Sequence, residues 1–224
     1  MRNIKCKKKA FTLAEVLITL GIVGVVAVLT IPSVMENYKN RLFATQLQKA
    51  YSQVVNAAET IMSDEHVDNF YETSATDEDD TTNYKSGPSY FLNKYFKHAK
   101  IDSGNNVKKF YGSSYESIMG DNAGSFGNTN TCIRTKAGAT ICTDYDYNNN
   151  GIFHVWIDVN GADEPNIAGR DAFILNITSD GSVEDFGSGS CDSCNEKTSS
   201  YGHIGDYSSG CFQCIVDKNW KMDY

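Results

Sequence analysis

At 224 residues, 41% of them apolar and 12% aromatic, the chain is long enough for one compact domain of about 100 to 150 residues beside one further long element. The formal charge is −8, and the basic residues are unevenly spread: Arg2, Lys5, Lys7, Lys8 and Lys9 crowd the start, and without these five the 20 basic residues fall to 15 against 28 acidic. An acidic remainder argues against nucleic acid as a direct partner, because backbone binding needs a basic face, although a local patch such as Lys94, Lys97, Lys100, Lys108 and Lys109 could still act.

After the basic start, Phe11 to Ile31 is apolar, with Glu15 its single charged residue. At ~1.5 Å per residue this run makes about 31 Å of helix, the thickness of one bilayer core. Basic residues on its N-terminal flank hold that end in the cytoplasm and send the rest outward. An acid in such a segment costs roughly 2.5 to 3.5 kcal/mol at mid-bilayer, so Glu15 calls for a reason. Either it sits one turn from the helix start and reaches the interface, or it answers a positive charge created there when the leader is removed after Ala10.

Lys8, Lys9, Ala10, Phe11, Thr12, Leu13, Ala14, Glu15, Val16 and Leu17 resemble the processing site of type IV prepilins and type II secretion pseudopilins. The resemblance implies cleavage by a prepilin peptidase between Ala10 and Phe11, methylation of Phe11, and assembly through Phe11, Glu15, Gly24 and Pro32. The residue before the cut is usually glycine in that family, and here it is Ala10. A secretory signal peptide fits less well: the apolar run exceeds the usual 7 to 15 residues, and no small-x-small site closes it. Cys6 precedes the apolar run, which excludes a lipoprotein signal.

Beyond Pro32 the pattern turns amphipathic, with Val34, Tyr38, Ala44, Leu47, Tyr51, Val54, Ala58 and Ile61 at mostly three- and four-residue steps. One helix is expected from residue 11 to 63, membrane-spanning over 11–31 and amphipathic over 32–63, with weak points at Gly24 and Pro32. The remainder, 64–224, is expected to be one globular extracytoplasmic domain. It begins with an acidic stretch holding Asp77, Glu78, Asp79 and Asp80, read as a solvated loop. A short helix around Tyr90 to Phe96 follows, then a connection rich in glycine and asparagine. From Thr131, alternating segments (TCIRT, ATICT, IFHVWIDV, AFILNIT, SVEDF) predict strands. The expected fold is α+β and pilin-like: a long N-terminal helix packed on an antiparallel sheet of four to five strands.

Six cysteines lie beyond the leader. Cys132 and Cys142 fall on the two arms of the first predicted hairpin, while Cys191, Cys194, Cys211 and Cys214 form two CxxC pairs. That double pair has zinc-ribbon spacing, but in an exported domain an even number of cysteines reads more simply as a disulfide framework. Cys132 with Cys142 is the natural first pair; the other four allow three connectivities.

Between two predicted strands, Asp158, Asn160, Asp163, Glu164, Asn166 and Asp171 offer the oxygen ligands that a hard cation such as calcium takes, although their spacing is not that of an EF-hand. Turn-forming residues alone would also account for this loop. Asp144, Asp146, Asn148 and Asn150 are a weaker second set. No catalytic constellation is visible: His66, His98, His154 and His203 are scattered and no serine stands in a nucleophile elbow. The reading is a structural subunit of a pilus-like or pseudopilus filament, not an enzyme. Its expected partners are other pilin or pseudopilin subunits, prepilin peptidase and the inner membrane. A monomeric membrane-anchored extracellular binding protein is the alternative class.

Overall fold

The computed structural model describes residues 12–127, 129–146, 151–187, 190–194, 196–198, 200 and 202–223. The chain divides into two units, Met1–Lys39 and Asn40–Tyr224, which are described separately.

Within the first unit runs the start of helix α1, which spans Leu13–Glu65 with Pro32 inside it. No residue from Thr12 to Leu42 is buried. This stretch lies in a helix long and apolar enough to cross a membrane, judged by length and composition. Its large apolar side chains, such as Leu17, Leu20, Val25 and Leu29, are more than half exposed. So contiguous an apolar surface marks a site that something else must cover.

In the second unit α1 becomes a core helix. Phe43, Ala44, Leu47, Ala50, Val54, Ala57, Ala58 and Ile61 are buried on one stripe. Four of these are alanines, which let the helix approach the sheet closely, while Leu47, Val54 and Ile61 supply the apolar bulk, each worth about 1.5–3 kcal/mol on burial. The helix ends two residues later than the hydrophobic pattern alone implies, where His66 turns into the left-handed region at φ 56°.

Helix α2 covers Gly87–Tyr95, three residues earlier than its aromatic residues alone suggest, because Pro88 sits in its first turn. The acidic run is a loop with Asp77 and Glu78 exposed, and Asp79 alone departs from a solvated role. Asp79 Oδ1 accepts from the Ser89 amide at 2.9 Å and from the Ser89 hydroxyl at 2.5 Å, so this carboxylate caps α2.

Among the described residues the strands are β1 (His98–Ser103), β2 (Tyr115–Glu116), β3 (Asn122–Gly124), β4 (Thr131–Thr135), β5 (Thr140–Asp146), β6 (Ile152–Asp158), β7 (Ala172–Ile177) and β8 (Val183–Asp185). They form an antiparallel sheet of six strands in the order β1-β4-β5-β6-β7-β8, with β2 and β3 as a separate two-stranded ribbon. The strand beyond the expected five is β1, an edge strand of sequence HAKIDS that lacks an apolar alternation. Its partner β4 supplies the pairing that its own side chains do not signal.

Register places Ile133, Ile141, Ile157 and Phe173 side by side across four strands. These residues share a core with α1 and α2. The opposite face carries Cys132, Cys142, Trp156 and Ile174 in register, covered by a second cluster that includes Phe110, Tyr111, Tyr115, Phe126 and Ile204. Because both faces are covered, central strands such as Ile152–Asp158 are buried with little alternation. Short helices α3 (Gly205–Ser208) and α4 (Cys211–Asp217) close the C-terminal part.

Candidate functional site

Three places carry chemistry: the β6–β7 loop, the cysteine framework and the helix N-terminus. The loop leaves β6 at Asp158 and returns at Ala172, two residues that pair across the strands. Gly161 and Gly169 make its turns at positive φ, and a Cβ on Gly169 would lie 2.6 Å from the Cys211 sulfur. Backbone hydrogen bonds tie the loop to β2, from the Glu116 amide to Asn166 and from the Ala168 amide to Glu116. Arg170 reaches α1, donating to Asn40 Oδ1 at 2.8 Å.

Of the six oxygen-bearing residues, the structure buries two completely, Asp158 and Asp171. Asp158 accepts from the Tyr115 hydroxyl and from the Asn160 amide. Asp171 Oδ1 accepts from the Ile167 amide at 2.6 Å, while its Oδ2 has no hydrogen-bond partner. Asn160 Oδ1 and Asn166 Oδ1 are likewise buried without partners. Asp163 and Glu164 point to solvent. Among the described residues no three His, Cys, Asp or Glu side chains are grouped to hold a metal, so any ion here would depend on the two amide oxygens and on backbone carbonyls.

Burial raises the Asp158 carboxyl to about 7, and burial together with the charge of Asp158 raises Asp171 to about 8. Burial, then the charge of Asp158, also pushes the Tyr115 hydroxyl up, so it stays a donor to Asp158. In the second set, Asp144 faces His154 across β5 and β6 and is raised by burial; Asn148 and Asn150 lie outside the described residues.

Among the described residues three disulfides are present: Cys132–Cys142, Cys191–Cys214 and Cys194–Cys211. The first joins directly paired residues of β4 and β5. The two CxxC pairs connect in nested fashion, outer to outer and inner to inner, fastening the Cys191–Ser193 turn to α4. The sulfurs that a zinc ribbon would need are thus bonded to one another.

Sequence reasoning missed Asp185. From β8 its carboxylate accepts from the Gln213 amide at 2.9 Å in the first turn of α4, and burial raises it to about 7. The alternation Val183, Glu184, Asp185 was the available signal, since it points Asp185 to the same side as buried Val183.

The histidines stay apart in role. His98 Nδ1 lies 3.0 Å from the Phe96 carbonyl, His154 pairs with Asn176 at 2.8 Å, His203 stacks edge-on against Trp156, and His66 is exposed. In the basic cluster, Lys94 bonds the Tyr90 hydroxyl at 2.6 Å and Lys100 pairs with Asp102 at 3.4 Å.

At the helix N-terminus, Glu15 Oε2 accepts from the Thr12 amide and the Thr12 hydroxyl, both at 2.8 Å, while the Glu15 amide donates to Thr12 Oγ1 at 3.2 Å. This is a capping box, with Thr12 at the N-cap of α1. Ala10 and Phe11 lie outside the described residues. Residues 5–31 match the family model described as the prokaryotic N-terminal methylation motif. The chain carries a prepilin-type cleavage and methylation segment. No curated protein and no solved structure matches the chain. Within the prepilin-type segment Gly24 has open space where a Cβ would stand, so its lack of a side chain is not required by packing inside this chain. Pro32 lies one residue past the matched stretch, inside α1.

Proposed function

We propose that the chain is a pilin-like structural subunit. It is made as a precursor held in the inner membrane, cut by prepilin peptidase between Ala10 and Phe11, and polymerised through α1 into an extracytoplasmic filament. The observation that carries this reading is the division of one helix. The half bearing the methylation motif has no buried residue, whereas the half from Phe43 onward is built into a disulfide-braced domain. Lipid covers the apolar half before assembly, and neighbouring helices replace the lipid afterwards.

In such a bundle Glu15 pairs with the amine of Phe11 on a neighbouring subunit. Its capping box offers a competing local role, and two variants separate them. Glu15→Gln can still accept the Thr12 hydrogen bonds but carries no charge. With the full chain and a prepilin peptidase co-expressed, sheared polymer is pelleted and quantified. Charge pairing predicts that Glu15→Gln and Glu15→Ala both lose filaments while remaining in the membrane fraction. Normal polymer from Glu15→Gln would sink the charge pairing.

We also propose calcium as a ligand of the β6–β7 loop. The support is the donor set: two amide oxygens and one carboxylate oxygen, buried and without partners, beside a second buried carboxylate. Oxygen donors of this kind suit a hard divalent cation.

A further inference from the structure

The two ends of the six-stranded sheet carry opposite charge. Arg134 pairs with Thr140, Thr140 with Asp158 and Asp158 with Ala172, so these residues mark one end of the strands. Ile177, paired with Phe153, and the β7–β8 turn mark the other. Between the two ends runs the length of β6, Ile152–Asp158, about 20 Å at ~3.3 Å per residue.

Cations gather at the first end. Lys100 of β1 stands directly opposite Arg134 of β4, an arrangement that like charges destabilise. Lys100 has Asp102 at 3.4 Å, whereas half-buried Arg134 has no ion-pair partner among the described residues. Lys100 Nζ also lies 5.0 Å from the centre of the Phe110 ring, and the Phe110 carbonyl accepts from the Thr140 hydroxyl at 2.6 Å, which brings exposed Lys108 and Lys109 to the same end. Lys97 and Lys136, one residue beyond the paired His98 and Thr135, are exposed there too. Lysines on an edge strand discourage strand pairing, but Arg134 sits on an interior strand, outside that explanation.

The second end is acidic. From Asp64 to Asp80 the chain holds eight carboxylates and neither lysine nor arginine. The Phe70 amide ties this segment to the β7–β8 turn by donating to the Ser179 carbonyl at 2.7 Å, and the Phe70 ring packs on Phe153 at 5.2 Å. Asp68, Glu72 and Glu78 of the segment are exposed.

We propose that the basic end of the sheet docks the Asp64–Asp80 segment of a second copy of the chain; the inference rests on the filament reading and names one of its contacts. The charges are complementary, and carboxylates from outside offset the repulsion between Lys100 and Arg134. The two surfaces lie at opposite ends of one sheet, so they meet between copies rather than within one. A contact of this kind is head to tail, and it propagates into an open chain unless its rotation closes a ring.

Carbodiimide, which joins an ammonium to a carboxylate only where the two touch, tests the docking on filaments of the full-length chain made with prepilin peptidase. The covalent dimer should contain peptides joining Lys97, Lys100, Lys108, Lys109 or Lys136 to residues 64–80, as mapped by mass spectrometry. Charge reversal at exposed positions gives a second readout. Lys108→Glu with Lys109→Glu, and separately Asp68→Lys with Glu72→Lys, should each lower pelleted filament at least fivefold. Lys197→Glu with Lys221→Glu makes the same change in net charge as the first pair and should leave the yield unchanged. Normal yield from either surface variant, an equal loss from the Lys197 and Lys221 pair, or a dimer joined only through other residues would each overturn the docking while wild-type filaments upheld the subunit reading. Absence of wild-type filaments would overturn that reading and the docking with it.

Discussion

Asp158, Asp171 and Asp185 are acids that the folded chain keeps protonated at pH values where an unfolded chain would have released the proton. Burial lifts them from 3.8 to about 7, 8 and 7. Between about pH 4 and pH 8 the folded state therefore holds more protons than the unfolded one, and stability falls as pH rises through that window. Melting temperature should be higher at pH 5 than at pH 8, and Asp171→Asn should flatten the slope. A divalent cation offsets the same repulsion by another route. At pH 8, calcium at a hundredfold excess over its Kd should add about 2.7 kcal/mol and chelator should remove it. At pH 5 the response should shrink, because protons already occupy the carboxylates. No calcium response at either pH would leave the loop as a hydrogen-bonded turn whose acids are satisfied by protons alone, and a response identical at both would place the ion away from these carboxylates.

At the scale of elements, what could be read in advance followed from how many chain segments a signal needs. The apolar run of α1, its amphipathic continuation and the five strands from Thr131 announce themselves locally, by period. Edge strand β1 does not, since its pairing with β4 is a tertiary event. Nor does the cap on α2, because Asp79 lies ten residues from Ser89. In the loop, the acids were visible as residue types, but Tyr115, which holds Asp158, comes from 43 residues away. The nested pairing of the last four cysteines was one of three possibilities and emerges only when α4 is laid against the Cys191–Ser193 turn. These crosslinks close loops over separations of 23 and 17 residues, against 10 for Cys132–Cys142. Chain entropy assigns each about 3 kcal/mol and slightly more to the longer loops. Replacing Cys191, Cys194, Cys211 and Cys214 together by serine should thus lower stability at least as much as replacing Cys132 and Cys142, as read by denaturant unfolding. The oxidised protein without its leader should show no free thiol and no bound zinc. Four titratable thiols with stoichiometric zinc would reverse the assignment.

For the molecule as a whole, the two units pose opposite solvent requirements, and on the proposed reading processing is the step that links them. The domain from Asn40 onward buries its own core, whereas the segment from Thr12 to Leu42 buries nothing and must stay in lipid or among like helices. On that reading the five cations ahead of Ala10 would keep the N-terminus on the cytoplasmic side, and while attached they could not be drawn into an apolar bundle. Removing them would leave a single amine at Phe11, four residues before Glu15, so each proposed subunit would then carry one positive and one negative group near the same membrane depth. Cleavage between Ala10 and Phe11 is thus the expected prerequisite for assembly. Mass spectrometry of the membrane-extracted protein should find an N-terminus at Phe11 with a methylated amine. Ala10→Gly, which restores the family's usual residue at the cut, should process at least as fast, while a bulky Ala10→Leu should accumulate the uncut precursor in the membrane and yield no polymer. A mature N-terminus beyond Ile31 would instead mean that the whole apolar run is removed as a conventional signal peptide, leaving a domain with no helix to polymerise through.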